Sequence, residues 1–180
     1  MRRELIHFGA AESVGEWQSV DDAVMGGLST SCLRLDPAGH AVFEGIVRLA
    51  NNGGFASVRT RPRHLGVPNG IAFHVDAMGD GRRYKLNLRT DDAFDGVTYQ
   101  ALFSPPTGTW NEVRLPLSAF RASYRGRAVA SAGPLDPARV RRVGLMIADG
   151  QAGPFALAIR SIAGEIAATG VIAAITGGQR

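Results

Sequence analysis

The fold is decided by the stretch from Trp17 to Arg59, which begins WQSVDDAVMGGLSTS and, after CLRLDPAG, continues as HAVFEGIVRLANNGGFASVR. Between His40 and Leu49 the side chains alternate between two sets, and this period of two predicts a β-strand. The pairs Gly26-Gly27 and Gly53-Gly54 lie on either side of that strand. Because glycine permits positive φ angles and close backbone approach, we expect sharp corners at both places.

The same alternation recurs along the chain, for example in Gly70–Ala77 and Arg83–Thr90, with glycine and proline between the apolar runs. About ten short strands separated by turn signals are typical of an all-β antiparallel β-sandwich or jelly roll with little helix. We expect one domain over residues 1–165, followed by an Ala- and Gly-rich tail at 166–180. The predicted core is aromatic: Trp17, Phe43, Phe55, Phe73, Phe103, Trp110 and Phe155.

Composition excludes several classes of protein. The net charge of +4 comes from nineteen arginines and Lys85, and the basic residues are dispersed rather than gathered into the stripe that nucleic acid requires. Cys32 is the single cysteine, so neither a disulfide framework nor a cysteine-based zinc site forms within the chain. The N-terminus does not resemble a signal peptide and no apolar run reaches membrane-spanning length. We therefore expect a cytoplasmic protein that is not membrane-spanning.

Catalytic templates fail at each candidate. Ser29 lacks the closing glycine of a nucleophile elbow, and Gly79–Tyr84 begins like a dinucleotide fingerprint but runs into a strand where a helix is needed. The carboxylates Glu44, Asp76 and Glu112 do not single out a glycosidase pair. We predict a non-enzymatic protein with no catalytic residues, no metal ligands and no cofactor.

Two acidic stretches leave a structural calcium site open. Asp21-Asp22 either holds calcium or caps backbone amides at the Gly26-Gly27 corner, and we favour the caps. Asp91–Gly96 either holds calcium or is the solvated tip of a hairpin, which is the commoner role of such a loop.

A polar sheet face is the best binding candidate. If neighbouring strands pair as hairpins, His74 and Asp76 share a face with Lys85, Asn87, Arg89, Thr98 and Gln100. Such a face can hydrogen-bond a sugar, an anion or a peptide, although it can equally be an ordinary solvated surface. Loops 21–29 and 51–54 supply a rim. The predicted binding residues are Asp22, Ser29, Arg59, His74, Asn87, Arg89 and Gln100.

Several blocks of sequence, taken in order, resemble the complex I intermediate-associated protein 30 family across roughly residues 5–165. The blocks that carry the resemblance include Trp17, Asp22-x-x-x-Gly26-Gly27-x-Ser29, Gly53-Gly54-Phe55-Ala56-x-x-Arg59, Gly79-Asp80-Gly81-Arg82-x-Tyr84-x-Leu86-Asn87 and Trp110-x-x-Val113-x-Leu115-Pro116-Leu117-x-x-Phe120.

The resemblance implies a galactose-binding-like sandwich, related in shape to carbohydrate-binding modules, and a non-enzymatic role. Eukaryotic members help to assemble respiratory complex I in mitochondria, and this chain resembles a compact bacterial member without their long N-terminal extension. The implied partners are complex I subunits or assembly intermediates, which would bring the protein to the periphery of the inner membrane. A glycan- or small-ligand-binding module is the alternative, although Tyr84 and Tyr99 fall on inward-facing positions where sugars cannot stack. A hydrolase using Glu or Asp residues is the third hypothesis.

Overall fold

The computed structural model describes residues 1–168, which form thirteen strands and one short helix, α1 (Ala11–Gly15). The strands are β1 (Arg2–His7), β2 (Trp17–Ser19), β3 (Thr30–Asp36), β4 (His40–Val47), β5 (Ala56–Thr60), β6 (Gly70–Met78), β7 (Tyr84–Arg89), β8 (Thr98–Phe103), β9 (Trp110–Pro116), β10 (Arg121–Tyr124), β11 (Arg127–Ala128), β12 (Arg142–Ile147) and β13 (Gly153–Ile166). Single 3-10 turns occupy Asp22–Met25, Ala50–Asn52, Leu117–Ala119, Ala130–Ala132 and Pro137–Arg139.

The first sheet has six strands and is organised around β13. One edge of β13 pairs with β4 through residues 153–159 and then with β1 through residues 161–165. The other edge pairs with β6, and the sheet runs β3-β4-β13-β6-β9 with every pair antiparallel. A single strand of 14 residues therefore ties together the beginning, middle and end of the chain.

The second sheet has seven strands in the order β11-β10-β8-β7-β12-β5-β2, again antiparallel throughout. In β7, Tyr84, Leu86 and Leu88 are fully buried while the residues between them turn to the opposite side. This alternation places the apolar face of each sheet against that of the other, which is the layered arrangement of a sandwich.

The core between the sheets is built from buried aliphatic and aromatic side chains. Phe43, Tyr84 and Phe155 form one aromatic cluster, with ring centroids 4.9–6.3 Å apart. Phe73 packs against Phe120 at 5.6 Å. Aromatic pairs at these separations stabilise a core beyond the area that they bury.

The predicted all-β antiparallel sandwich is confirmed, with thirteen strands instead of about ten. The core prediction is wrong for two residues that lie outside the core, Trp110 and Phe55, whereas Trp17 is partly buried but packs against the core. Trp110 is only partly buried, at the edge strand β9, where it packs against His40 and under the Arg160 guanidinium. Phe55 is also partly buried.

The boundary at residue 165 stays a prediction, although Ile166 still belongs to β13. Residues 169–180 of the predicted tail lie outside the described residues. Within residues 1–168, no helix is long and apolar enough to cross a membrane.

Candidate binding cleft on the seven-stranded sheet

A cleft of about 720 Å³ lies on the outer face of the seven-stranded sheet. Its floor comes from β5, β7, β8 and β12, and its walls come from the turn Asp22–Met25 and the loop between β7 and β8. Because Tyr84, Leu86 and Leu88 point into the core, the alternate residues of β7 face the cleft, namely Lys85, Asn87 and Arg89.

One row of paired residues crosses the floor. Arg59 on β5 is opposite Gly144 on β12, which is opposite Asn87 on β7, which is opposite Gln100 on β8. A Cβ on Gly144 would lie 3.3 Å from the Arg59 side chain and 3.5 Å from that of Asn87. The glycine therefore leaves the centre of the floor open between a guanidinium and an amide.

The two floor amides have only weak partners. The Asn87 Nδ2 group lies 3.9 Å from Met146 Sδ, and Gln100 Nε2 lies 3.6 Å from the same sulfur. A thioether is a poor acceptor, and Asn87 Oδ1 is buried with no hydrogen-bond partner in the described part of the chain. Both amides are thus free to hydrogen-bond a ligand that enters the cleft.

Three arginines gather at one end of the floor: Arg59, Arg89 and Arg142. Arg89 and Arg142 are directly opposite each other across β7 and β12, and they are only 4% and 7% exposed. Burial and, to a smaller extent, the neighbouring charges of Arg142 and Arg89 together lower the pKa of Arg59 to about 10. Burial and Arg89 likewise lower the pKa of Arg142. The arrangement concentrates positive charge where water is scarce.

The loop between β7 and β8 covers these arginines. The Phe94 carbonyl accepts hydrogen bonds from Arg59 Nη1 at 3.0 Å and from Arg89 Nη1 at 2.8 Å. The Phe94 ring stacks on the Arg59 guanidinium, 4.4 Å from the ring centroid, yet Phe94 is 65% exposed. Across the cleft, Val24 and Met25 are 67% and 59% exposed. The cleft therefore combines a cationic floor with exposed apolar side chains on its walls.

Four of the predicted site residues lie together in this cleft: Arg59, Asn87, Arg89 and Gln100. Their role in binding stays a prediction. Sequence reasoning missed Arg142, which is the first residue of β12. The alternation of β12 could have revealed it, because three buried apolar residues of this strand alternate with Arg142, Gly144 and Met146. Phe94 carried no such signal, because an exposed aromatic residue in a loop has no periodicity.

Asp22 and Ser29 are buried structural residues, which corrects their placement on the rim. The Asp22 carboxylate accepts hydrogen bonds from Ser29 N at 2.9 Å, Ser29 Oγ at 2.5 Å and Gly54 N at 2.8 Å. Burial alone would raise the pKa of Asp22, but these bonds hold it below its usual range. A Cβ on Gly27 or on Gly53 would collide with this carboxylate. Asp22 thus joins the two glycine corners and, through them, the two sheets.

His74 lies on the other sheet, so its predicted place beside Asn87 is wrong. Strand β6 pairs with β9 and β13 instead of β7. His74 is 3% exposed, with Nδ1 3.1 Å from Glu112 Oε1 and Nε2 2.7 Å from Glu165 Oε2. It belongs to a network of ion pairs on the far face of the molecule.

The acidic stretches are occupied by protein donors. The Asp21 carboxylate accepts from Ser31 N, Ser31 Oγ and Ser57 N, which explains why this pair of aspartates stands beside the glycine corner. In the other stretch, hydrogen bonds from Arg141 and Arg125 lower the pKa of Asp92 and of Asp95, respectively. No group of three or more His, Cys, Asp or Glu residues within 1–168 has the arrangement of a metal site.

Comparison with known proteins matches this chain to one family. A sequence profile described as complex I intermediate-associated protein 30 matches residues 6–159. The mitochondrial protein of that name from Drosophila melanogaster is 28% identical over 174 residues, which cover 84% of this chain and 59% of the fly protein. A Schizosaccharomyces pombe protein is 29% identical over 181 residues, covering 88% of this chain and 82% of its own length. The chain therefore covers less than two thirds of the length of the fly protein. The match to the family profile confirms the predicted resemblance.

Solved structures of similar shape are carbohydrate-binding proteins and agarases. The family 11 carbohydrate-binding module of a Clostridium thermocellum cellulosomal cellulase superposes with a TM-score of 0.69 at 15% identity, covering 94% of this chain and 98% of the module. An agarase superposes with a TM-score of 0.58 at 12% identity, covering 93% of this chain and 25% of the enzyme. At these identities the likeness shows a shared sandwich fold.

Proposed function

The chain belongs to the complex I intermediate-associated protein 30 family, and from that premise we propose that it is a non-catalytic module that binds a protein partner during assembly of respiratory complex I. The matched residues 6–159 include every strand that forms the cleft. The partner is a complex I subunit or an assembly intermediate, and through it the protein reaches the periphery of the inner membrane.

The observation that carries this proposal is the set of polar groups left without strong partners on the cleft floor. Among the residues that the structure describes, Asn87 Oδ1 has no partner, and the NH₂ groups of Asn87 and Gln100 reach only the Met146 sulfur. Buried polar groups are normally satisfied, so each exception calls for an explanation such as a bound ligand. A partner that inserts backbone or side-chain groups into the cleft supplies those bonds.

The test is a pull-down of the tagged protein from its native cells in mild detergent, read by mass spectrometry. We expect the wild type to enrich complex I subunits or their assembly factors, and Asn87→Ala with Gln100→Ala to lose them. Asn111→Ala, which removes an exposed amide on the edge strand of the other sheet, serves as the matched control. Equal capture by wild type and the double variant places the partner elsewhere, and no enrichment by the wild type contradicts the proposal.

Glycan binding on the same cleft is the second candidate, because the floor amides suit sugar hydroxyls as well as a peptide. The aromatic side chains argue against it. Tyr84 and Tyr99 are 0% and 7% exposed within the core, so they offer no stacking surface. Phe94 lines the cleft, but its ring is already stacked on Arg59. A titration against a glycan panel separates the two candidates: saturable binding supports this one, and a flat response removes it.

A further inference from the structure

The charges that line the cleft do not balance. The cations are Arg59, Lys85, Arg89, Arg125 and Arg142, whereas the anions are Asp95 and Asp149. Both anions are already engaged, Asp95 with Arg125 at 2.6 Å and Asp149 with Lys85 at 3.0 Å. Of the three remaining arginines, Arg89 pairs with Asp91 from outside the cleft lining. Within residues 1–168, Arg59 and Arg142 donate hydrogen bonds only to backbone carbonyl oxygens. The carboxylates that attract them, Asp95 for Arg59 and Asp91 and Asp92 for Arg142, are each paired with another arginine. This end of the cleft is therefore short of negative charge.

The same three side chains carry donors without acceptors. Four of their nitrogens are buried and have no partner among residues 1–168: Arg59 Nε, Arg59 Nη2, Arg89 Nε and Arg142 Nε. Arg89 and Arg142 are each more than nine-tenths buried while lining the cleft. An unmet donor in a desolvated site is costly, especially on a charged group, so an acceptor that reaches this point is strongly favoured.

The Phe94 carbonyl shows where such an acceptor belongs. Its oxygen receives one N–H from Arg59 and one from Arg89, so two guanidiniums converge on a single point. A carboxylate oxygen at that point carries negative charge, and charge-assisted hydrogen bonds are roughly twice as strong as neutral ones. It would also offset the mutual repulsion that lowers the pKa of Arg59. Residues 91–95 are all exposed, so displacing the loop uncovers no buried side chain of its own. The ion pairs of Asp91 with Arg89, Asp92 with Arg141 and Asp95 with Arg125 are then exchanged for contacts with the partner.

We propose that the cleft recognises an acidic segment of a protein partner, whose Asp or Glu carboxylate takes the place of the Phe94 carbonyl oxygen between Arg59 and Arg89, with Arg142 adding positive charge beside Arg89. The exposed Val24 and Met25 on the opposite wall receive an apolar residue of the same segment. The combination of a cationic floor and an apolar wall fits a peptide better than a free inorganic anion. This inference rests on the proposed function, because it specifies which feature of the protein partner the cleft binds.

The experiment is selection from a library of random displayed peptides. The wild-type chain should enrich peptides that combine Asp or Glu with a neighbouring apolar residue. Arg59→Gln should weaken binding of a selected peptide by about tenfold or more, since truncating one member of a desolvated charge pair acts strongly. Arg114→Gln is the control, because it removes an exposed arginine from the other sheet. Selected peptides without acidic enrichment, or equal binding by wild type and Arg59→Gln, overturn the inference.

Competition distinguishes carboxylate recognition from general charge attraction. Succinate should displace a selected peptide more effectively than sodium chloride at the same ionic strength, and equal displacement contradicts a specific site. Replacing the acidic residue of the peptide by its amide should abolish binding, whereas retained binding also contradicts it. Circular dichroism of Arg59→Gln confirms that the variant is folded.

The outcomes also separate this inference from the proposed function. If acidic peptides are selected but the pull-down contains no complex I protein, the assembly role fails and the acidic-segment site stands. If complex I proteins are captured equally by wild type and Arg59→Gln, the assembly role stands and the acidic-segment site fails.

Discussion

The outer faces of the two sheets differ in how their charges are satisfied. On the six-stranded sheet, Arg2, His74 and Arg114 all contact carboxylates, with Glu112 and Glu165 each shared by two of them. On the seven-stranded sheet, Arg59 and Arg142 donate hydrogen bonds only to carbonyl oxygens among the described residues. The aspartates near them are paired with other arginines. A face whose charges are matched internally gains little from a ligand. A face with unmatched buried charge gains much more free energy when a ligand of opposite charge binds. This difference points to the seven-stranded sheet as the binding surface.

This contrast depends on the two sheets being held together, and removing the Asp22 carboxylate should have the largest effect. We expect Asp22→Ala to lower the free energy of unfolding by about 3–5 kcal/mol, since donors on Ser29 and Gly54 lose their acceptor in a buried site. Urea denaturation measures the change. Asp36→Ala, which removes a more exposed carboxylate from the β3–β4 turn, should cost about 1 kcal/mol or less. Similar losses of stability in both variants would show that Asp22 does not hold the two glycine corners together.

The matched face should be sensitive to loss of its buried centre. His74→Ala is expected to cost about 2–4 kcal/mol, because it leaves a cavity and removes the group that joins Glu112 to Glu165. Arg2→Ala removes an exposed ion pair to the same Glu112 and should cost about 0–1 kcal/mol. Equal losses of stability for the two variants in chemical denaturation would show that the buried imidazole contributes no more than an exposed ion pair.

The matched face should also respond to acid. Hydrogen bonds from Arg114 and then His74 lower the pKa of Glu165 from 4.5 to about 2. A folded-state pKa below the unfolded value means that this carboxylate stabilises the protein above pH 4.5 and that the stabilisation is lost as the pH falls from 4.5 towards about 2. Melting temperatures measured across that range should fall less steeply for Glu165→Gln than for the wild type. Glu12→Gln, on α1, should follow the wild type, and an unchanged slope in Glu165→Gln would contradict the assignment.

Much of this architecture follows from local patterns in the sequence. Alternation predicts strands such as β7 and β8, whose polar residues do form the cleft floor, and the glycine pairs predict the corners that close around Asp22. The local pattern does not show which sheet a strand joins. Adjacent strands β6 and β7 lie in different sheets because β6 pairs with β13, which follows it by some 80 residues, so His74 leaves the predicted face. The arginine cluster was equally hidden, since it forms only when β5, β7 and β12 come together.

The smallest change in stability is expected on the unmatched face, the outer face of the seven-stranded sheet, where a substitution should stabilise the protein. Arg59→Gln removes a partly buried charge that is repelled by Arg89 and Arg142. It also loses the stacking contact with Phe94 and the hydrogen bond to the Phe94 carbonyl oxygen, an acceptor that Arg89 still satisfies. The stacking contact is worth about 0.5–1 kcal/mol at an exposed site, and relief of repulsion with recovery of unmet donors exceeds it. We expect the melting temperature to rise by about 1–3 °C in calorimetry. Arg114→Gln, which breaks a satisfied pair, should leave it unchanged or lower it. A clear fall for Arg59→Gln would mean that Arg59 is already satisfied within the fold, and the distinction between the two faces would then lose its physical basis.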